Sequence, residues 1–585
     1  MNKNNNELLY EMRHSAEHVL MHAMRNLKYK FHMAMGPATD EGFYFDFQLL
    51  NGSISEEDFP KIEKEIQKLI KLNLPITEHE IDPNNARNLF GNNPYKQEWI
   101  DEIVSQQSPL TIYWTGEPNK NESFVDLCKG PHVESTGEIG VVKLLSVAGA
   151  YWRGDEKNIM LTRIYGTAFK TQKEMEEYLE NIEEAKRRDH KKIGKELELF
   201  MFHETAPGSP YWLPKGLEIL NELTRFWRVE HRKRGYLEIA TPLVNKKELW
   251  ETSGHWDHYK DDMFIADMGE NEIYGIKPMN CPNAMLVFAS KTRSYKDLPL
   301  RLSDTDILHR YERSGTLNGL LRVRSFRQDD SHNFVTEDQI KDEYSKILEI
   351  ADLFYGVFGL DFKYRLGTRP EKFMGDVESW NKAESELKII LEKSGREYFI
   401  EEGDGAFYGP KVDIVMQDAI GRDWQMGTIQ LDFQIPKRFK LKYIDNEGKE
   451  KTPVVIHRVI YGSLERFIGI LIEHFAGAFP VWLSPVQVQI LTVSEGNVDY
   501  GREILSYLLD NDIRAELEDS DETIGNKIRK AQEQKTPYML IIGNNEKESK
   551  TISVRNRNGE KEQAISLKSF TNKVKTNIIS KSLEV

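Results

Sequence analysis

Cysteine is nearly absent: 585 residues contain two, Cys128 and Cys281. A disulfide framework is therefore excluded, and so few thiols in so long a chain point to a reducing cytoplasm. No run of eighteen apolar residues occurs, so no membrane span is expected. The opening Met1-Asn2-Lys3-Asn4-Asn5-Asn6 is polar and lacks the apolar stretch of a signal peptide. Internal repeats are missing, and the short Asn run is the one low-complexity block. Positive charge is in deficit: 79 Lys and Arg against 94 Asp and Glu give a net charge of −15, which argues against a simple DNA-coating protein. An RNA enzyme with a local basic face stays open. What remains, 39% hydrophobic and 30% charged residues, is the balance of a globular protein with ample core.

Texture divides the chain into four stretches. Residues 7–170 mix strands and helices, with Gly42-Phe43-Tyr44-Phe45-Asp46-Phe47 alternating like a strand. Residues 171–195 are dense in Glu, Lys and Arg and predict one exposed connector helix. Residues 196–480 carry Gly/Pro-punctuated strand signals, as in a large antiparallel sheet. After a short Pro480–Pro485 connector, residues 486–585 hold the apolar runs Val486–Leu491 and Tyr538–Ile542 between helical segments, which predicts a small α/β domain with a mixed or parallel sheet. The fold class is thus multidomain, α+β with α/β.

Leu308-His309-Arg310-Tyr311-Glu312 reads as a strand, which would put Arg310 and Glu312 on one face. An Arg fork suits a phosphate, and a carboxylate can accept from an exocyclic amine. By itself the pair equally suits a surface cross-strand ion pair. Cys281, His332 and His457 form a possible tetrahedral metal set with an open fourth position; on spacing alone they could as well be a buried thiol and two solvated histidines. Near the N-terminus, His14-Ser15-Ala16-Glu17-His18 places two histidines on one helix face, and Asp126-Leu127-Cys128-Lys129-Gly130-Pro131-His132 adds a carboxylate, a thiol and a third imidazole. That set could hold a second zinc or be unrelated surface residues. His22 and His32 read as ordinary surface histidines. In Ile552–Gly559, Arg555 and Arg557 share one strand face near a turn, fit either to read unpaired bases or to decorate a solvated hairpin.

Three blocks occur in order: Ile239-Ala240-Thr241-Pro242, the Arg310–His332 region containing Arg322-Val323-Arg324-Ser325-Phe326-Arg327-Gln328-Asp329-Asp330, and Tyr461-Gly462-Ser463-Leu464-Glu465-Arg466. They resemble motifs 1, 2 and 3 of class II aminoacyl-tRNA synthetases. With Met279-Asn280-Cys281-Pro282, the histidine before motif 3 and the N-terminal H-x-x-x-H, the chain resembles the threonyl-tRNA synthetases over about residues 7–575.

The resemblance implies an editing domain at 7–170, a linker helix at 171–195, a catalytic domain at 196–480 and an anticodon-binding domain at 486–585. It implies ATP-dependent joining of L-threonine to tRNA(Thr) by a homodimer formed through motif 1. Arg310 would hold the α-phosphate, Glu312 the adenine amine, Phe326 would stack on adenine, and Arg466 would hold the γ-phosphate, with Arg322 and Gln425 also on the nucleotide and Mg2+ accompanying it. Zn2+ would sit on Cys281, His332 and His457, with Gln328, Asp330, Tyr408, Lys411 and Gln430 completing the threonine pocket. Glu546 and Arg555 would contact the anticodon.

Such a metal has a physical reason. Valine is nearly isosteric with threonine, and an apolar slot separates such pairs only about 10²-fold. Serine keeps the hydroxyl and lacks one methyl, worth about 10–200-fold. A second, hydrolytic site for seryl-tRNA is therefore expected, and His14, His18, Asp126, Cys128 and His132 match the editing site of the family. Prolyl or seryl enzymes and an RNA-binding regulator of the same fold are the rivals; the first two lack the metal set, and the third has no need of γ-phosphate ligands. Three departures from the family stand out: no ubiquitin-like N-terminal domain, Asn283-Ala284 where Gly-His is usual, and Ser325 where glycine is common, whose Cβ could crowd the nucleotide.

Overall fold

The computed structural model describes residues 5–39, 41–270, 272–418 and 421–585. The polar opening of the chain lies outside them up to residue 4. Two compact units are present, Met1–Glu183 and Glu184–Val585.

In the first unit, helices α1 (Asn5–Asn26) and α2 (Phe59–Lys71) pack on a sheet of β1 (Phe31–Met35) and β2 (Phe43–Leu49) with two later strands. The remaining elements are β3 (Ile76–Glu80), α3 (Pro83–Phe90), α4 (Pro94–Ser105), β4 (Thr111–Thr115), β5 (Phe124–Leu127), β6 (Val141–Tyr151) and β7 (Met160–Phe169). The order β1-β2-β7-β6 makes one antiparallel sheet and β3-β4-β5 another. Period-2 alternation in β2 sends Phe43, Phe45 and Phe47 into the core against Ala16, Val19 and Leu20 of α1. Burying that face of α1 fixes which way the opposite positions, His14 and His18, must look.

The connector is two helices, not one: α5 (Gln172–Arg188) and α6 (His190–Glu196). Asp189 breaks the run by capping α6, its side chain accepting from the Lys191 N–H at 2.7 Å. The expected exposure also fails for α6, which buries His190 and Ile193.

In the second unit, α7 (Pro214–Lys233) leads to an eight-stranded sheet. Its strands are β8 (Leu237–Glu238), β9 (Leu300–Asp304), β10 (Asp330–Val335), β11 (Phe362–Gly367), β12 (Tyr398–Glu401), β13 (Lys411–Gln417), β14 (Asp423–Asp432) and β15 (Val454–Val459). The order is β8-β9-β10-β15-β14-β13-β11-β12; the six central strands are antiparallel, and a parallel partner closes each edge. Two further helices matter for the site: α8 (Cys281–Ala289) and α9 (Leu464–His474). The last strands, β16 (Val488–Thr492), β17 (Ala515–Glu518), β18 (Tyr538–Ile542), β19 (Ile552–Asn556) and β20 (Lys561–Ile565), form a mixed sheet ordered β17-β16-β18-β19-β20. No described helix is long and apolar enough to cross a membrane.

Candidate functional site

The central sheet builds the site by register. His332 of β10 lies directly opposite His457 of β15, and Gln430 of β14 lies opposite His457 on its other side. One row across the sheet therefore carries two buried imidazoles and a half-buried amide. Cys281 is the first residue of α8, and Asn280 before it donates to Asp330 Oδ2 at 3.0 Å. The ligand atoms of Cys281, His332 and His457 all lie within 4.8 Å of one another.

The donor chemistry fits a metal ion. Burial and the neighbouring His457 hold His332 well below its ordinary value, so it is a neutral imidazole with a lone pair. Asp432 Oδ2 accepts from His457 Nε2 at 2.8 Å, the carboxylate–imidazole support that fixes a ligand's tautomer. Burial pushes the Cys281 thiol well up, so a thiolate there requires a cation.

These residues line one cavity of about 570 Å³ together with Arg310, Glu312, Arg322, Phe326, Gln328, Asp330, Tyr408, Gln425, Gln430 and Arg466. The Tyr408 hydroxyl donates to Gln430. Arg466 is lowered by burial and then by the nearby charges of Arg322 and Arg310. Arg322 Nε donates to Glu312 Oε2 at 2.9 Å, and Arg310 and Arg466 face the same space, a concentration of positive charge suited to an anion. The Arg310 guanidinium also lies 5.1 Å from the Phe326 ring centre.

Several expectations need correction. Arg310 and Glu312 are not on a strand: the strand ends at His309, and the Glu312 N–H bonds to the Arg310 carbonyl at 2.9 Å in a tight turn. The turn still delivers both to the cavity. Lys411 does not line it; its ammonium is 3.0 Å from each of Asp404 and Asp413. Asn283 and Ala284 are buried away from the lining, Ala284 within an apolar cluster with Phe288 and Phe334. Sequence reasoning missed His255, whose Nε2 lies 3.8 Å from Cys281 Sγ and whose ring burial lowers to about 4. Its only signal was a histidine following Ser253-Gly254, too common a pattern to single out.

A second cavity, about 640 Å³, lies in the first unit and is lined by His14, His18, Lys96, Asp126 and Cys128 among others. Cys128 Sγ is 3.3 Å from His14 Nε2 and 3.2 Å from His132 Nε2, and the His14 and His132 rings stack at 4.0 Å. Donor atoms of His14, His18, Cys128 and His132 fall within 4.8 Å of one another. Burial lowers His14 and His18, takes His132 down to about 2, and pushes the Cys128 thiol up to about 12. The three imidazoles are therefore neutral and the thiol protonated; burial makes His18 and His132 weak bases and lowers His14 less. Lys96, which carried no sequence signal, forms a buried ion pair with Asp126 at 2.6 Å. His22 is fully buried, not on the surface; its Nε2 bonds to the Glu122 carbonyl at 2.8 Å.

At the C-terminal sheet, Glu546 accepts from Ser553 Oγ at 2.7 Å and from the Gly543 N–H at 2.9 Å. Arg555 keeps a buried Nε without a partner. Arg557 lies beyond the strand's end and donates to the Phe479 carbonyl, so it does not share a strand face with Arg555.

Motif 3 starts at Gly462, where φ is +76° and a Cβ would meet the Met426 carbonyl oxygen at 2.1 Å; only glycine fits. Ser463 then caps α9, accepting from the Arg466 N–H at 3.2 Å. Glu465 is buried and accepts from the Arg327 N–H at 2.8 Å.

Comparisons place the chain among known proteins. The family described as tRNA synthetase class II core domain (G, H, P, S and T) matches residues 264–475, Anticodon binding domain matches 487–577, and Threonyl and Alanyl tRNA synthetase second additional domain matches 110–165. Proteins named threonine–tRNA ligase from Thermotoga petrophila and Clostridium tetani are each 50% identical, over 98% of this chain and 89% of theirs. Among solved structures, the RNA binding domain of threonyl-tRNA synthetase from Cryptosporidium parvum is 43% identical with a TM-score of 0.65, covering 66% of this chain and 98% of that one. A putative threonyl-tRNA synthetase from Aeropyrum pernix is 29% identical with a TM-score of 0.59, covering 68% and 97%.

The Glu465 carboxyl rises from 4.5 to about 7, because burial outweighs its bond from Arg327. Between those two values the folded protein holds a proton that the unfolded chain has released. That contribution to stability is full below pH 4.5 and is lost as pH rises through 7. Glu465→Gln should flatten the fall in stability from pH 4.5 to 7.5 by about 1–3 kcal/mol, read from urea midpoints. An unchanged slope would count against it.

Proposed function

The chain belongs to the threonyl-tRNA synthetase family, and on that premise we propose that it activates L-threonine with ATP as threonyl-adenylate, transfers it to tRNA(Thr), and hydrolyses seryl-tRNA(Thr) in its first unit. The observation that carries the synthetic half is one cavity lined by Arg310, Arg322 and Arg466 together with Cys281, His332 and His457.

Activation brings a carboxylate to an α-phosphate, and negative charge builds at phosphorus. Fixed arginines meet that need by position and electrostatics, with no covalent nucleophile. Arg310 takes the α-phosphate, Arg466 the γ-phosphate, and Mg2+ accompanies the nucleotide. Glu312 accepts from the adenine amine, Phe326 stacks on the base, and Arg322 and Gln425 flank it. Asp330, Gln328, Tyr408 and Gln430 orient threonine through its amino and hydroxyl groups. Cys281, His332 and His457 would hold Zn2+, which when bound supplies an open coordination position for those same groups. Lys411 is assigned to holding Asp404 and Asp413 in place rather than to substrate.

In the first unit, a neutral histidine of the His14, His18 and His132 cluster accepts a proton from the hydrolytic water. The Lys96–Asp126 pair and Cys128 shape the pocket. The four-donor set also suits a second zinc, which metal analysis of a His14→Ala variant would expose. Glu546 and Arg555 are assigned to the anticodon, whose unpaired bases offer their edges to charged side chains. Both cysteines are free, which supports the cytoplasm as its compartment.

Dimerisation through motif 1 is supported by an apolar surface beside Thr241: Leu217, Leu243, Val244 and Ile307 are each more than a third exposed. Leu243→Asp should yield monomers in sedimentation equilibrium; a wild type that is already monomeric at micromolar concentration would refute the assignment.

Threonine should drive ATP–pyrophosphate exchange far above valine, and a strong chelator should abolish that exchange until Zn2+ is restored. Exchange with no threonine dependence would end the synthetic reading, and chelator resistance would end the zinc assignment. For editing, a His14→Ala/Cys128→Ala protein should keep exchange activity yet accumulate seryl-tRNA(Thr). Undiminished deacylation of seryl-tRNA by that variant would show the hydrolytic site to be elsewhere.

A further inference from the structure

His190 is buried in α6 and belongs to neither the nucleotide nor the threonine pocket. Its Nδ1 lies 2.7 Å from Glu473 Oε1, and its Nε2 lies 3.1 Å from the backbone nitrogen of Leu320. A backbone N–H only donates, so Nε2 must be the accepting nitrogen and Nδ1 must carry the proton. The tautomer is fixed by its partners. Asp189, His190 and Glu473 resemble a metal set, but both ring nitrogens are engaged, and no lone pair is left for an ion.

The two partners of His190 sit at meaningful places. Glu473 is in the last turn of α9, the helix whose first turn carries Arg466. Leu320 is at the tip of the motif 2 hairpin, closed by bonds between Asn318 and Arg322 and carrying Arg322 into the cavity. The next residue, Leu321, returns the connection: its carbonyl accepts from Arg466 Nε at 2.9 Å. A ring of bonds thus runs from Arg466 along α9 to Glu473, through His190 to Leu320, and back through Leu321 to Arg466. His190 is the one link in it from outside motifs 2 and 3.

Neighbouring details support the arrangement. Lys191 Nζ donates to Asn318 Oδ1 at 3.2 Å, a second hold on the same tip. Gly319 has φ +49°, and a Cβ there would come within 2.2 Å of His190 Nε2, so the tip is shaped around the imidazole. Arg188 Nη1 donates to the His474 carbonyl at 2.9 Å, tying the same connector to the C-terminal end of α9.

We propose that His190 is a positioning residue for the nucleotide: it sets the separation of the motif 2 hairpin from α9, and so of Arg322 from Arg466. The inference rests on the assignment of this cavity to ATP. The proposed threonine contacts are Gln328, Asp330, Tyr408 and Gln430 beside Cys281, His332 and His457, and none of them bonds to His190. Losing the link should therefore weaken ATP and spare threonine.

Two near-isosteres divide the ring's two bonds. In His190→Asn, the amide nitrogen stands near the Nδ1 position and keeps Glu473, while the Leu320 N–H loses its partner. In His190→Gln, the amide oxygen reaches the Nε2 position and keeps Leu320. In threonine-dependent ATP–pyrophosphate exchange, His190→Asn should raise the KM for ATP about tenfold, the loss expected if the energy of one buried hydrogen bond is expressed in ATP affinity. The KM for threonine should stay within about twofold and His190→Gln within about threefold of wild type for ATP. Equal ATP constants in the two variants, or a threonine constant rising in parallel, would overturn the proposal. If His190→Asn does not fold, Lys191→Met tests the same hairpin from a half-exposed position. It should raise the ATP constant about twofold with threonine unchanged, and no effect would overturn the proposal. A wild type without threonine-dependent exchange would instead be a failure of the ligase reading; an active wild type with indifferent variants would be a failure of this one.

Discussion

The register of three antiparallel strands, β10, β15 and β14, is the constraint on which the site depends. It sets His332 against His457 and His457 against Gln430, in the middle of a sheet buried on both sides. Side chains alternate with period two, so a slip of one residue in β15 would turn His457 away and bring Arg458 round. The register is held by apolar neighbours such as Phe334, Val455 and Leu431, and by what the polar residues do for the backbone. Asp329 accepts from the N–H groups of Ile460 and Gly462, and Asp432 from those of Gln434 and Ile435. A buried carboxylate is costly unless such donors meet it. Here the donors belong to the turns that launch motif 3 and close β14, so the charges that shape the site also fix the loops beside it.

Burial acts differently on the two cavities. In the second unit it leaves His332 neutral and Cys281 protonated but keeps Arg310, Arg322 and Arg466 on one cavity, where Arg466 is lowered by burial and by the charges of the other two. The cavity is preorganised for a charge it does not supply. In the first unit, burial leaves the three histidines neutral and Cys128 protonated, beside the Lys96–Asp126 ion pair. Electrostatic stabilisation of a phosphoryl transfer needs the first environment. Accepting a proton from water needs a neutral imidazole, which the second holds.

How much could be read in the sequence follows from how local each signal is. Met279-Asn280-Cys281-Pro282, the Gln328–His332 run and Tyr461-Gly462-Ser463 are contiguous, and each does its work within one turn or strand. The cavity collects nearly every residue named from them. The strand in the C-terminal domain over Tyr538–Ile542 was equally plain, being one apolar run between polar flanks. What escaped was set by distant partners. Arg310 and Glu312 alternate as a strand would, but the Arg310 N–H bonds across to the Arg324 carbonyl and the chain turns. The connector's charge suggested one solvated helix; Asp189 breaks it, and Glu473, far along the chain, buries His190. Lys96 looked like any helical lysine until Asp126 met it across the fold. His22 seemed a surface histidine because its partner, the Glu122 carbonyl, is invisible to periodicity.

The same reasoning explains why a single pocket does not suffice for threonine among its neighbours. The proposed zinc set makes hydroxyl chemistry the test of admission, and valine, of the same size, has nothing to offer it. Serine offers the same hydroxyl, and the one missing methyl is worth about 1–3 kcal/mol in an apolar slot. Nothing in a cavity built from Tyr408, Gln430 and Asp330 can raise that figure, because a polar site has no strong way to penalise an absent methyl. Exclusion by size must then work in the opposite direction, in a place where the smaller side chain enters and the larger does not. The first unit's cavity, lined by neutral histidines and the Lys96–Asp126 pair rather than by clustered arginines, has the chemistry proposed for such a site.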